Sequence, residues 1–139
     1  MTSRPQPENA MLRAMPVVTF VPCTKPELAR PFYEGVLGLR FVSEDQFAVV
    51  FSTPKVMVRV VNVAGVVGHA PAPFTILGWV VPDVESMVRE LVGKGVVFAR
   101  YPGMNQDPLG IWTSPGGARV AWFKDPFENV LSVTEVWKL

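Results

Sequence analysis

Apolar positions along the chain fall into short runs broken by turn residues, with two stretches of helical period set among them. Residues 15–21 are apolar with Thr19 inside and read as a strand. Thr24-Lys-Pro-Glu27 has capping-box spacing, in which a Thr hydroxyl and a Glu carboxylate satisfy free backbone N–H groups. Leu28, Phe32, Val36 and Leu37 follow at helical spacing, and Gly38 stands where a helix would end. Pro31 falls inside that run, where proline loses a backbone bond and crowds the preceding turn. The helix therefore either bends there or begins near it. Strands are predicted at 39–43, 46–52 and 55–63, the last alternating Val56, Val58 and Val60 against Met57, Arg59 and Val61.

After a Gly/Ala/Pro-rich linker at 64–73 the pattern restarts. Residues 74–81 read as a strand, and Asp83 is a good N-cap. Val84, Met87, Val88, Leu91 and Val92 make one apolar helix face, ended by Gly93-Lys-Gly95. Strands are predicted at 96–101, 109–113, 118–124 and 129–137, with a polar loop at 102–108. The order reads as βαβββ, linker, βαβββ. Neither module buries its sheet face alone, so the two are expected to fold together as one α+β domain over 15–139. Module one spans 15–63 and module two 74–137, behind a flexible tail at 1–14.

Composition narrows the function. Thirteen basic and twelve acidic residues give a net charge of +1, with no basic stripe for nucleic acid. No apolar run reaches the ~20 residues of a membrane span, and 1–14 carries no secretory pattern. A cytoplasmic protein is expected. Cys23, the single cysteine, sits in an apolar stretch and reads as inert packing. The near-neutral, apolar-rich chain also favours burying surface between subunits in an oligomer.

Two motifs carry a resemblance. Ala29-Arg-Pro-Phe-Tyr-Glu-Gly-Val-Leu-Gly-Leu39 and Phe123-Lys-Asp-Pro-Phe-Glu-Asn-Val-Leu131, with Val80-Val-Pro-Asp-Val84 between them, are similar to segments of the vicinal oxygen chelate superfamily. That superfamily includes glyoxalase, bleomycin-resistance and extradiol dioxygenase-like proteins. The resemblance implies two βαβββ modules whose curved mixed sheets enclose a cavity, in a homodimer whose modules pair within one chain or between two. It implies no single function, because the superfamily holds metal-dependent lyases, isomerases, ring-cleaving dioxygenases and metal-free drug-binding proteins.

The resemblance also places the metal positions of its enzymes on this chain. They fall at Val18 (or Val17 or Thr19), at Ile76, at Ser132, and among Met57, Arg59 and Val61. None of these suits a divalent cation, and catalytic zinc takes three protein ligands and an open position. No metal and no cofactor are expected. His69, the only histidine, lies in the linker, either as a general base or loose ligand or as a solvated loop residue.

Strand alternation, with those positions taken as inward, lines a cavity with Met57, Arg59, Ile76, Trp112, Trp122 and Ser132. Gly78 leaves room beside the backbone for a ligand, or marks a bend. The 101–108 loop reads as a lid or as plain surface. The set suits an aromatic or amphipathic small molecule, with Arg59 pairing an anionic group. Trp112, Trp122 and Met57 alternatively pack a core or an interface, and Arg59 alternatively pairs an acid of its own chain. The leading expectation is a metal-independent small-molecule-binding protein. The alternative is a divergent lyase, isomerase or dioxygenase-like enzyme with a shifted metal site or an acid–base mechanism.

Overall fold

The computed structural model describes residues 11–136. Most of the expected 1–14 tail lies outside the described residues, as does Trp137 at the expected end of the last strand. Met11–Ala14 forms one exposed 3-10 turn. The first module runs β1 (Val17–Cys23), two short helical turns, β2 (Arg40–Glu44), β3 (Ala48–Ser52) and β4 (Val56–Asn62). The second runs β5 (Thr75–Val80), α1 (Val84–Gly93), β6 (Trp112–Thr113), β7 (Arg119–Lys124) and β8 (Val130–Glu135). Each module forms a four-stranded mixed sheet, in the orders β1-β4-β3-β2 and β5-β8-β7-β6. In both, the first and last strands run parallel and the remaining pairs antiparallel. The two sheets are topological copies, as the repeat in the sequence predicts.

Three local expectations fail, each for a backbone reason. The capping box at Thr24 and Glu27 does not form. Lys25 takes the cap position of a 3-10 turn, Pro26–Leu28, with no side-chain cap bond. The first helix is not an α-helix but a π-helical turn, Pro31–Val36. Pro31 has no N–H for the preceding turn, and the ladder widens until Leu37 N–H reaches the Phe32 carbonyl at 2.9 Å. Gly38 then closes it at φ 78°, with Leu39 N–H bonded to the Tyr33 carbonyl and its own N–H to Glu34.

The third failure is the strand expected at 96–101, which shrinks to a single bridge between Phe98 and Phe123. Loop side chains take its backbone groups instead. The Gln106 amide donates to the carbonyls of Ala99 and Gly110, and its oxygen accepts from Tyr101 N–H. Arg100 donates to the Asp107 and Pro108 carbonyls. The strand expected at 109–113 keeps only Trp112 and Thr113, because Asp107 Oδ1 accepts from the N–H groups of Leu109 and Ile111. Several of these backbone groups thus find partners outside a ladder.

The helix-facing sides of both sheets bury one shared core. Val21, Tyr33, Phe51, Val58 and Val60 from the first module join Val84, Val88, Ala121, Phe123 and Leu131 from the second. Cys23 lies wholly buried in it, and desolvation, with lesser contributions from Asp125 and Glu27, pushes its thiol up to about 11. The thiol is therefore protonated packing, as its apolar setting predicts.

A buried polar knot crosses the seam between the modules. Asp125 Oδ2 accepts from the Tyr33 hydroxyl at 2.6 Å and from the Asn129 side-chain amide at 2.8 Å. Its Oδ1 accepts from the N–H groups of Phe127 and Asn129. The Asn129 amide also donates to the Pro22 carbonyl of β1 at 2.8 Å. Burial first, and the Asp125 carboxylate after it, raise the Tyr33 hydroxyl far above its ordinary range, so it stays a donor.

Asp125→Ala leaves four buried donors short of this acceptor and is expected to cost about 3 kcal/mol or more, against about 1–2 kcal/mol for Tyr33→Phe. Urea melts of both variants check this; losses under about 0.5 kcal/mol in both would mean the knot does not join the modules. Glu128, in the same turn, sits at φ 69°. A non-glycine residue there costs about 1–2 kcal/mol, so Glu128→Gly is expected to raise the urea midpoint, and a lowered midpoint would show the turn unstrained.

Candidate functional site

Strand register sorts the expected site residues onto the faces opposite the core. On the first sheet, Val18, Met57 and Ser52 stand side by side, with Arg40 beyond, and the next row is Phe20, Arg59 and Val50. On the second sheet one row is Gly78, Ser132 and Trp122, and another is Val80, Thr134, Val120 and Trp112. These faces are solvated in part: Val18 is 43% exposed, Met57 40%, Val80 54% and Phe20 62%, whereas Val50, Val130 and Ser132 are buried.

Trp112, Trp122 and Ser132 come together as the alternation predicts. The indoles lie 6.1 Å apart at 36°, and Tyr101 meets Trp122 edge-on at 5.5 Å. Met57 and Arg59 share a face, but it belongs to the other sheet. Ile76 behaves differently. The pairing slips between Thr75 and Leu77, and the half-buried Ile76 packs against the core cluster. The space expected over Gly78 is filled from within: a Cβ there would meet Ser132 Oγ at 2.5 Å. Gly78 makes room for its neighbour on β8.

Beside Trp122 the surface is concave. One cleft of about 300 Å³ is lined by Pro73, Phe74, Thr75, Tyr101, Trp122 and Val130. An adjoining one of about 400 Å³ adds Pro71, Ala72, Lys124 and Glu128. Pro73 ends the linker and Phe74 opens the strand expected at 74–81, and neither was among the expected site residues. Phe74, a lone aromatic directly before β5, was the available signal. The 101–108 loop is tied down by Gln106 and Asp107 and walls this cleft through Tyr101. A third cleft, about 470 Å³, opens on the helix side between Phe32, Val36 and residues 94–99, and holds none of the six expected residues.

The metal positions implied by the resemblance do not fit a divalent cation. They carry an apolar side chain at Val18, a thioether at Met57, a guanidinium at Arg59 and a hydroxyl at Ser132. No three His, Cys, Asp or Glu side chains converge among the described residues. His69 is half-buried in the linker, its N–H on the Val66 carbonyl at 3.5 Å. Among the described residues no helix is long and apolar enough to cross a membrane.

No family model and no curated protein matches the chain; its similarity is to solved structures. A member of the glyoxalase/bleomycin resistance protein/dioxygenase superfamily from Sphaerobacter thermophilus is 20% identical with a TM-score of 0.69, over 88% of this chain and 98% of that one. The fold is glyoxalase-like. Lactoylglutathione lyase from Agrobacterium tumefaciens superposes at 0.68 with 16% identity, over 91% of this chain and 98% of the other. TnmS3, an antibiotic binding protein from Streptomyces sp. CB03234, superposes at 0.64 with 20% identity, over 88% and 95%. Both the enzyme and the binding protein thus share this glyoxalase-like architecture, which separates no function from another.

Gly78→Ala is expected to drive the Ser132 hydroxyl from its rotamer at about 1 kcal/mol, and Ser132→Ala in the same chain to return most of that loss. A double-mutant cycle by urea melts measures the coupling; strictly additive effects would mean that the two residues do not compete for this space.

Proposed function

We propose that the protein binds an aromatic or amphipathic small molecule without a metal, on the open sheet faces, as a homodimer. The observation that carries this reading is the group of Trp112, Trp122 and Tyr101 beside Ser132, of which Trp122 and Tyr101 line a concave surface. Stacked and edge-on aromatic walls hold flat apolar bodies, and a few polar groups orient them. Met57 and Arg59 are the contributions of the first sheet, and Ile76 supports the second from behind. That TnmS3 is an antibiotic binding protein on a similar fold adds weight.

The exposed Val18, Phe20, Met57 and Val80 favour a second copy of the chain as the cover for these faces. Residues 15–139 act in this reading as one unit, with 64–73 as its internal linker. A cytoplasmic location belongs to the same reading, and a protonated, buried Cys23 suits a reducing compartment.

Tryptophan fluorescence titrated with the neutral probe N-phenylnaphthylamine tests the site. Saturable quenching that survives a chelator, and that Trp122→Ala weakens about 10-fold or more, is the expected outcome. Native mass spectrometry of the same sample should give a dimer. A stoichiometric divalent metal, with quenching lost on chelation, would turn the reading towards an enzyme.

A further inference from the structure

The seam between the modules is not closed along its whole length. Leu37 and Leu39 of the first module and Trp79, Met87, Leu91 and Phe123 of the second line a cleft of about 200 Å³ there. Every side chain around it is apolar except that of Thr53. The Thr53 hydroxyl is already held in the β3–β4 turn, where it accepts from the N–H groups of Lys55 and Val56. Leu37, Trp79 and Met87 pack against the core yet stay only half-buried. The volume is on the scale of the apolar cavity of about 150 Å³ that takes up benzene. A small apolar body seated here covers hydrophobic surface and desolvates no charge.

At one side this cleft meets a polar one. Leu39 and Thr53 also line a space of about 410 Å³, together with Gly38, Arg40, Ser52 and Pro54. Arg40 stands opposite Ser52, on the edge strand β2, so a guanidinium and a hydroxyl lie side by side. Among the described residues Arg40 forms no ion pair. No Asp or Glu lines either cleft. The two spaces share no lining residue with the clefts beside Trp122.

We propose that this seam is a second ligand site, where a small molecule seats an apolar body of about the size of a phenyl ring between Leu37, Trp79 and Met87 and ends in an anionic group at Arg40 and Ser52. The apolar slot supplies the affinity. Arg40 is exposed, so its pairing with the anion is screened and acts mainly to select among bodies of one shape. The site lies within one chain and does not depend on the reading of the open sheet faces.

Three probes with one apolar body test it: 3-phenylpropionate, 3-phenylpropanol and 3-phenylpropylammonium, titrated into full-length protein and followed by the tryptophan indole N–H signals in nitrogen-15 NMR spectra. The Trp79 signal is expected to move saturably with all three. Read at that signal, the carboxylate should bind about threefold to fivefold tighter than the alcohol, with the ammonium weakest, and added salt should narrow the gap. Arg40→Ala, at an exposed position, should remove the carboxylate advantage and leave the alcohol unchanged. Movement of the Trp112 and Trp122 signals without Trp79 overturns the seam site and leaves the sheet-face reading standing. Equal affinities for the three, or a preference for the ammonium, also overturn the proposal. The wild-type comparison decides the matter without the variant.

Discussion

The structure turns on a carboxylate that has been taken out of water. Asp125 lies 5% exposed in the β7–β8 turn and receives hydrogen bonds from Tyr33 of the first module and from Phe127 and Asn129 of its own. Hydrophobic contact between the modules is non-directional, and sliding one sheet over the other by a residue would cost it little. The knot is directional. Its donors meet the carboxylate only when β1, the π-helical turn and the β7–β8 hairpin sit at one relative position, and Asn129 adds a second tie to the Pro22 carbonyl. A buried carboxylate deprived of these partners is strongly destabilising, so the alternative packings are suppressed.

What the knot arranges is a division of the two sheets into a consumed side and a spare side. The helical elements and the inner strand positions form one core with Phe51, Val58, Phe123 and Leu131 at its centre. The spare sides carry a pair of indoles, a tyrosine edge, a serine hydroxyl beside a glycine, and the Arg59 guanidinium, which forms no ion pair among the described residues. The 101–108 loop joins this side through Tyr101. Its closure by Gln106 and Asp107 makes it a fixed wall, since its backbone is bonded to its own side chains.

A glyoxalase-like fold, shared at 13–20% identity with solved structures, leaves the chemistry open, and the motif resemblance alone points to positions for it. Here those positions hold Val18, Met57 and Ser132, which offer no strong cation ligand. Trp112 and Trp122 stand nearby, where stacking and burial of flat apolar surface are the available interactions.

The sequence by itself determined the repeat, the two faces of each strand and the chemistry each face carries, because period and residue type are local properties of the chain. Val58 and Val60 against Met57 and Arg59, or Ala121 and Phe123 against Trp122, needed only alternation to separate. Motif similarity carried the glyoxalase-like fold as well. Tertiary structure alone decided the rest, for reasons of competition. The 96–101 segment has the composition of a strand, but Gln106 holds the Ala99 carbonyl and the Tyr101 N–H that a ladder would need. Gly78 left both space for a ligand and a bend open, and only the fold shows Ser132, fifty-four residues away by number, standing where a Cβ at 78 would go. Asp125 stood in the sequence only as part of the 123–131 motif, because nothing local to 125–129 reveals that Tyr33 will stand 2.6 Å above it. Hydrogen-bond partners distant in sequence are chosen by the packing of the whole, and no window along the chain contains that choice.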